Sequence, residues 1–367
     1  MKKLLTIGAL AVIIFAAVSC HKNTVTPAGT VTLDLPAGDY HYFSTRFSDS
    51  SGNARATLGR VLFYDGHLSL NNTISCASCH KQSLGFADNV AASVGYAGRL
   101  TKRNSKGILN IAGIDSFYRP ELVSNPGKAL FWDGRVNILK SLVSRPITNH
   151  VEMGIDDLDA LAAKLSALSF YPPLFQKAYG SPEVTPAKIS ESISAFMAAI
   201  RSNNSKFDQY LQNNPGILNA QEYQGMVLFN TKYNCSGCHH PGTQLYTFSD
   251  IIDIGLDQTY SDIGAGAVNN ISSNDGKFVV PSLSNVALTA PYMHDGRFKT
   301  LDEVLDHYSH GIKNSPNLDP IFLNADSTTL QMNIPSQEKA AIIAFLNTLT
   351  DYTTINDVKF SNPFKVK

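Results

Sequence analysis

Cysteine is scarce in this chain, with five in 367 residues, and there is a single Trp and no excess of either charge, Lys+Arg and Asp+Glu each totalling 30. Each shortage excludes something. The five cysteines, once placed, leave no pair over for a structural disulfide. No basic excess supports a nucleic-acid partner. The neutral balance leaves protein partners open, because a local patch can still steer docking. The one long apolar run, residues 4–18, is too short and too near the start to serve as a spanning helix. Few segments alternate with period two, so the expected fold is mainly α, with long loops.

Four of the five cysteines fall in two copies of one pattern, Cys76-Ala77-Ser78-Cys79-His80 and Cys235-Ser236-Gly237-Cys238-His239, 159 residues apart. Cys-x-x-Cys-His is the attachment pattern for c-type haem. The two thiols add to the haem vinyl groups, and the adjacent His is placed to coordinate iron from one face. A single copy would also suit a redox or zinc pair. Two copies, with only one further cysteine in the chain, predict a dihaem cytochrome c.

The fifth cysteine, Cys20, follows a short positive start, Met1-Lys2-Lys3, and an apolar run ending Ala17-Val18-Ser19. That layout is a secretory signal, and it resembles a bacterial lipoprotein signal in which Cys20 becomes the lipidated first residue. Position 17 is Ala, where such signals most often carry Leu; an ordinary signal cut near Ser19 is the alternative. Export fits the haem chemistry, since covalent attachment takes place outside the bacterial cytoplasm. The expected location is the periplasmic side of a membrane, held by a lipid anchor, with a soluble periplasmic form as the alternative.

The mature length leaves room for two domains. The expected division is a signal at 1–19, a tether and irregular lead-in at 20–55, a first cytochrome c domain at 56–202 and a second at 203–367. Leu58, Val61, Leu62 and Tyr64 recur at helical intervals ahead of the first motif, and Tyr223, Met226, Val227 and Phe229 do so ahead of the second. Each half therefore reads as helix, short turn, Cys-x-x-Cys-His. Helices are also expected over 158–168, 189–200 and 338–349, with Tyr171-Pro172-Pro173 and Ser181-Pro182 as interruptions and Ser336 as a cap for the last. The polar stretch 201–205 is the expected crossover.

Further motifs narrow the reading. The first half carries Leu58-Gly-Arg-Val-Leu-Phe-Tyr-Asp65, Gly85-Phe86-Ala-Asp88, Arg103-Asn104-Ser105, Phe131-Trp132-Asp133-Gly134-Arg135 and Val151-Glu152-Met153-Gly154. The second carries Pro281-Ser282-Leu283-Ser-Asn285 and, further on, Thr289-Ala290-Pro291-Tyr292-Met293-His294-Asp295-Gly296. This ordered series, from about residue 57 to 350, resembles the bacterial dihaem cytochrome c peroxidases and their relatives that mature tryptophan-derived quinone cofactors.

The resemblance implies roles position by position. The haem on Cys76, Cys79 and His80 would be the peroxide-reacting centre, with Glu152 as distal glutamate and Phe131 and Pro146 lining the same pocket. Read alone, Glu152 is an ordinary solvated acid. A carboxylate over an open iron can move a proton from one peroxide oxygen to the other. Trp132, which by itself reads as core filling, would bridge the two haems. Asn104 with the Thr289 and Pro291 carbonyls matches an interhaem calcium site, whose oxygen donors suit that hard cation.

Two departures bear on mechanism. Many relatives carry a loop His that blocks the peroxidatic haem until the other haem is reduced. The matching segment here is Ser93-Val94-Gly95-Tyr96-Ala97-Gly98, and no His lies between His80 and His150. A first haem that is open when oxidised is expected, with Tyr96 or His150 as rival ligands. On the second haem, Tyr308 stands where high-potential relatives use Met, as in the quinone-maturing relative. Met293, His307 and His310 remain candidates. Leu142 stands where relatives often place a Gln, and Lys106 replaces the Pro usual after Arg-Asn-Ser.

The leading expectation is a peroxidase reducing hydrogen peroxide to water with electrons from a small redox protein, a cytochrome c or a cupredoxin. A long-range oxidase of a partner protein and a non-catalytic dihaem carrier are the alternatives. Family members are often homodimers.

Overall fold

The computed structural model of the chain describes residues 31–35, 40, 50–111, 130–239 and 251–365. Cys20, the leader at 1–19 and most of the expected tether lie outside them. The first half holds α1 (Ser50–Tyr64), α2 (Cys76–Cys79), α3 (Leu139–Thr148), α4 (Leu158–Ser166), α5 (Tyr171–Tyr179) and α6 (Pro186–Ala199). The second holds α7 (Lys206–Leu211), α8 (Ala220–Asn230), α9 (Gly266–Asn269), α10 (Leu301–Asp306), α11 (Ser336–Asn347) and α12 (Tyr352–Asn356). Among the described residues, sheet is confined to two antiparallel pairs, β1 (Thr32–Leu33) with β4 (Phe364–Lys365) and β2 (Ile251–Ile252) with β3 (Phe278–Val279). The chain is mainly helical, as its periodicity requires.

The two halves repeat one packing device. In the first, α1 crosses α6 at Gly59, where an added Cβ would collide with the Ser192 carbonyl oxygen and reach 2.9 Å from Phe196 Cβ. In the second, α8 crosses α11 at Gly225, where it would collide with the Ala341 carbonyl oxygen and reach 2.9 Å from Phe345 Cβ. In both, a Phe four residues past the contacted carbonyl is buried beside the glycine. The missing side chain lets the two backbones approach. Gly225→Ala is expected to lower stability by about 1–3 kcal/mol, because the obstacle is a carbonyl that no rotamer change can move. The denaturant midpoint of the haem-loaded protein reads this; an unshifted midpoint would mean that the helices part without cost.

Three local expectations are corrected. On α8, Phe229 and Gly225 are buried but Tyr223 and Val227 are exposed, so the contact face runs through the glycine rather than the larger apolar residues. Tyr171-Pro172-Pro173 opens α5 instead of interrupting helix, because prolines in a first turn forfeit only N–H groups that have no helical partner. Pro335, not Ser336, holds the cap position of α11, and no side chain caps it.

One apolar cluster fills the first half and a second lies between α8, α10 and α11. The segment after α11 returns to the first half. Phe360 packs in the first cluster, Arg60 Nε donates to the Ser361 carbonyl at 2.6 Å, and β4 pairs with β1. Buried amides tie the halves together. Asn110 Nδ2 donates to Ser284 Oγ at 3.2 Å, and Asn285 Nδ2 donates to Ser202 Oγ at 2.8 Å. Asn285 Oδ1 in turn accepts from the Asp351 amide at 2.8 Å. The junction built this way is where the candidate residues meet.

Candidate haem centres and the junction between them

Both Cys-x-x-Cys-His motifs form a single tight turn. The His80 amide donates to the Cys76 carbonyl at 2.9 Å, and the His239 amide donates to the Cys235 carbonyl at 2.8 Å. Each imidazole is then anchored by the same nitrogen. His80 Nδ1 lies 2.9 Å from the Phe86 carbonyl oxygen, and His239 Nδ1 lies 3.1 Å from that of Pro281. An Nδ1–H held by a carbonyl assigns Nε2 to a metal and fixes the ring plane. Two left-handed residues, Gly85 at φ 62° and Phe86 at φ 56°, turn the loop so that the Phe86 carbonyl faces His80.

This donor set fits covalently held haem and does not fit a bare metal ion. None of Cys76, Cys79, Cys235 and Cys238 is in a disulfide. Burial pushes the Cys76 and Cys235 thiols up to about 12, opposite to thiols activated for redox exchange. Among the described residues no group of three His, Cys, Asp or Glu side chains could hold an ion.

Beside the first motif lies a turn built on Asn149. Its carbonyl accepts from the amides of Glu152, Met153 and Gly154 at 3.0, 3.0 and 2.9 Å, and its Nδ2 donates to Glu152 Oε1 at 2.7 Å. Glu152 is partly buried, and its charge bears on both Cys76 and Cys79. Desolvation raises its carboxyl above the usual glutamate range, against the opposing pull of Arg135 and Asn149. Arg135 stacks 3.7 Å from the centre of the Phe131 ring. Phe131 has φ 65°, an unfavourable conformation for so bulky a residue. Pro146 lies in α3, and its carbonyl accepts from the Asn149 amide at 3.3 Å. Glu152, Phe131 and Pro146 are thus linked through Asn149 and Arg135, two residues to which the sequence reading assigns no role.

The loop over this turn is 93–99. The Tyr96 amide donates to the Glu152 carbonyl at 2.8 Å, and the Tyr96 ring lies so close that a Cβ on Gly154 would come within 2.8 Å of it. His150 is largely exposed, with Nε2 3.1 Å from Asp156 Oδ1. Leu142 packs at the edge of the first apolar cluster.

Trp132 stands at the junction of the halves. Its indole N–H donates to the Asn104 carbonyl at 2.9 Å, and its own carbonyl accepts from the Val279 amide at 2.8 Å. Asn104 is buried, its amide donating to the His294 carbonyl at 2.7 Å and its Nδ2 to the Val90 carbonyl at 3.0 Å. Arg103 clamps the same seam, donating through Nε to Asp262 at 2.7 Å and through Nη1 to Asp133. Thr289 and Pro291 lie in the second half near this seam, where Thr289 Cγ2 would sit 3.2 Å from a Cβ on Gly85. The Lys106 ammonium lies 5.0 Å from the centre of the Trp132 ring. Burial lowers its pKa to about 8.

At the second motif, α10 widens into a π-helical turn, His307–Gly311, which carries Tyr308. Such turns are frequent at functional sites. Tyr308 packs in one small apolar cluster with Cys238, Ile252, Ile312, Leu318 and Phe322. Its phenol is pushed well up, first by burial and then by Cys235 and Cys238. Of the neighbouring candidates, His307 is engaged elsewhere and His310 faces solvent. His307 Nε2 lies 2.9 Å from the Ile254 carbonyl oxygen, and burial lowers its pKa to about 4. His310 is exposed, and Met293 occupies a left-handed turn at φ 72°. The carbonyl anchors and the π turn have no side-chain signature; only Gly85 before Phe86 hinted at the first.

Comparison with known proteins shows the family of the chain. A family model described as di-haem cytochrome c peroxidase matches residues 53–216. The methylamine utilization protein MauG of Methylorubrum extorquens is 31% identical over 340 residues, covering 89% of this chain and 90% of that protein. The cytochrome c551 peroxidase of Nitrosomonas europaea is 32% identical over 301 residues, covering 80% and 79%. A solved structure of a MauG-like protein associated with microbial copper homeostasis superposes with a TM-score of 0.72 at 30% identity, covering 93% of this chain and 99% of that one. The chain therefore belongs to the di-haem cytochrome c peroxidase family.

Proposed function

We propose that this protein reduces hydrogen peroxide at the centre held by Cys76, Cys79 and His80, with electrons from a small donor protein entering at the centre held by Cys235, Cys238 and His239. The haem peroxidase class follows from the family. The observation that carries the assignment of the two centres is Glu152, a partly buried carboxylate with a raised pKa, whose charge bears on the first motif. Bound haem supplies the iron that takes up peroxide and the electrons that reduce it. Glu152 accepts the proton from one peroxide oxygen and returns it to the other, and Asn149 holds the carboxylate in place for both transfers. Phe131 and Pro146 wall the pocket. Trp132 carries electrons across the junction.

The 93–98 loop offers no His to close the first centre, so a haem held there would be open in the oxidised protein. Paramagnetic resonance of that form is expected to give one high-spin and one low-spin signal, without prior reduction. Two fully low-spin haems would overturn the open site.

A second reading has its own support. Tyr308 beside Cys238, together with the likeness to MauG proteins, favours long-range oxidation of a partner protein. Turnover of peroxide with a reduced cytochrome c or cupredoxin separates the two. Absence of turnover while peroxide still oxidises the iron would favour the partner oxidase, and inertness of both irons would favour a plain carrier. We also propose an interhaem calcium on Asn104 and the Thr289 and Pro291 carbonyls, a homodimer, and periplasmic placement through lipid on Cys20. No helix among the described residues is long and apolar enough to cross a membrane.

A further inference from the structure

We propose that Lys106 is a positioning residue that sets how easily Trp132 gives up an electron, so that the rate of transfer between the two centres is governed by a cation placed over the indole. This rests on the relay role given to Trp132 above.

The geometry is specific. The Lys106 ammonium lies 5.0 Å from the centre of the only Trp ring in the chain, within the range at which a cation and a ring face interact. Among the described residues no carboxylate is ion-paired with Lys106. The other cations of this seam are paired: Arg103 with Asp133 and Asp262, Arg135 with Asp133, Arg297 with Asp257 and Asp295. Both ring and lysine are held. The indole N–H is fixed on the Asn104 carbonyl, and Ser105, between Asn104 and Lys106, donates through Oγ to the Cys79 carbonyl at 2.8 Å. One short segment therefore touches the first motif, the ring and the cation.

The physical consequence has a fixed sign. A cation attracts the negative face of a neutral indole and repels the positive charge that the ring acquires when it loses an electron. In each relay step Trp132 passes one electron to the first centre and receives one from the second, ending unchanged; the donor protein supplies the electrons and peroxide consumes them. Lys106 raises the energy of the electron-deficient ring and so restrains the step. A wrongly timed oxidation of Trp132 is suppressed, at the expense of speed.

The test compares Lys106→Met, Lys106→Gln and Lys106→Arg in the haem-loaded protein at pH 7. Peroxide is mixed with the reduced protein, and the oxidation of the second haem is followed by stopped-flow absorption. Both neutral variants are expected to speed that oxidation by roughly three- to thirty-fold, the range of one cation–ring interaction converted to a rate. Lys106→Arg keeps the charge and is expected to match the parent. Equal rates in all four proteins would overturn the proposal. So would slowing in all three variants, which would mark Lys106 as packing. A neutral-variant effect confined to one haem's midpoint potential, with the transfer rate unchanged, would assign the charge to that haem and also overturn it. Trp132→Phe tests the underlying relay separately: transfer unaffected by that change removes the relay, whereas slowed transfer with no response to Lys106 removes only the present inference.

Discussion

Glu152→Gln is expected to slow peroxide cleavage by roughly a hundred- to ten-thousand-fold, the span supplied by a positioned general acid–base group. Gln has the same shape, and its carbonyl oxygen can still accept from Asn149 Nδ2, which lies 2.7 Å from Glu152 Oε1 in the parent. The turn on the Asn149 carbonyl is made by backbone amides and does not depend on the side chain at 152. Haem content and folding are therefore expected to stay as they are, and only the capacity to take and return a proton is lost. Stopped-flow measurement of the first haem after mixing with peroxide reads the step directly. An unaltered rate would remove Glu152 from its role.

The same residue sets a pH dependence. Burial raises the Glu152 carboxyl above the ordinary glutamate range. It must be ionised to accept the first proton, so cleavage falls as pH drops through that raised value. The acid limb lies higher than an unperturbed glutamate would place it, and it is expected to vanish in Glu152→Gln. The raised value follows from the partly buried turn that also brings Glu152 toward Cys76 and Cys79.

Much of this was legible in the sequence because it rests on side-chain identity. Two Cys-x-x-Cys-His motifs, each preceded by a helix, read directly, and the structure has α1 and α8 in those places. The packing of those helices did not read. Gly59 and Gly225 act through side chains they lack, so hydrophobic periodicity passes over them and selects Tyr223 and Val227, which are exposed. Pro172 and Pro173 misled for a related reason: a proline signals a break only where its missing N–H would have been bonded. The anchors of His80 and His239 are backbone carbonyls, which every residue possesses, so no residue type marks them. Asn285 stood in a quoted motif, yet its work of joining Ser202 to the Asp351 amide is long-range and appears only in the folded chain.

The second large effect is expected at Tyr308. Tyr308→Met is expected to raise the midpoint potential of the second haem by on the order of 100 mV or more, since Met ligation raises haem potentials and axial ligands move them over several hundred millivolts. For one electron that is about 2.3 kcal/mol. The substitution suits the site, because Tyr308 lies in an apolar cluster with Phe322 and Cys238 and a thioether fills such space without a polar partner. Tyr308→Phe keeps the ring that stacks 6.1 Å from Phe322 and removes only the oxygen. It is expected to turn the second haem high-spin at nearly constant fold stability. A redox titration followed by absorption, with paramagnetic resonance of the Phe variant, distinguishes the outcomes. Unchanged potential in the Met variant together with a surviving low-spin signal in the Phe variant would remove Tyr308 as ligand. The rival side chains make that outcome costly for the fold: His307 would have to leave the Ile254 carbonyl, and His310 would have to turn inward from solvent. The π turn is what sets these three neighbours apart, sending Tyr308 into the cluster beside the second motif while His307 is tied to backbone.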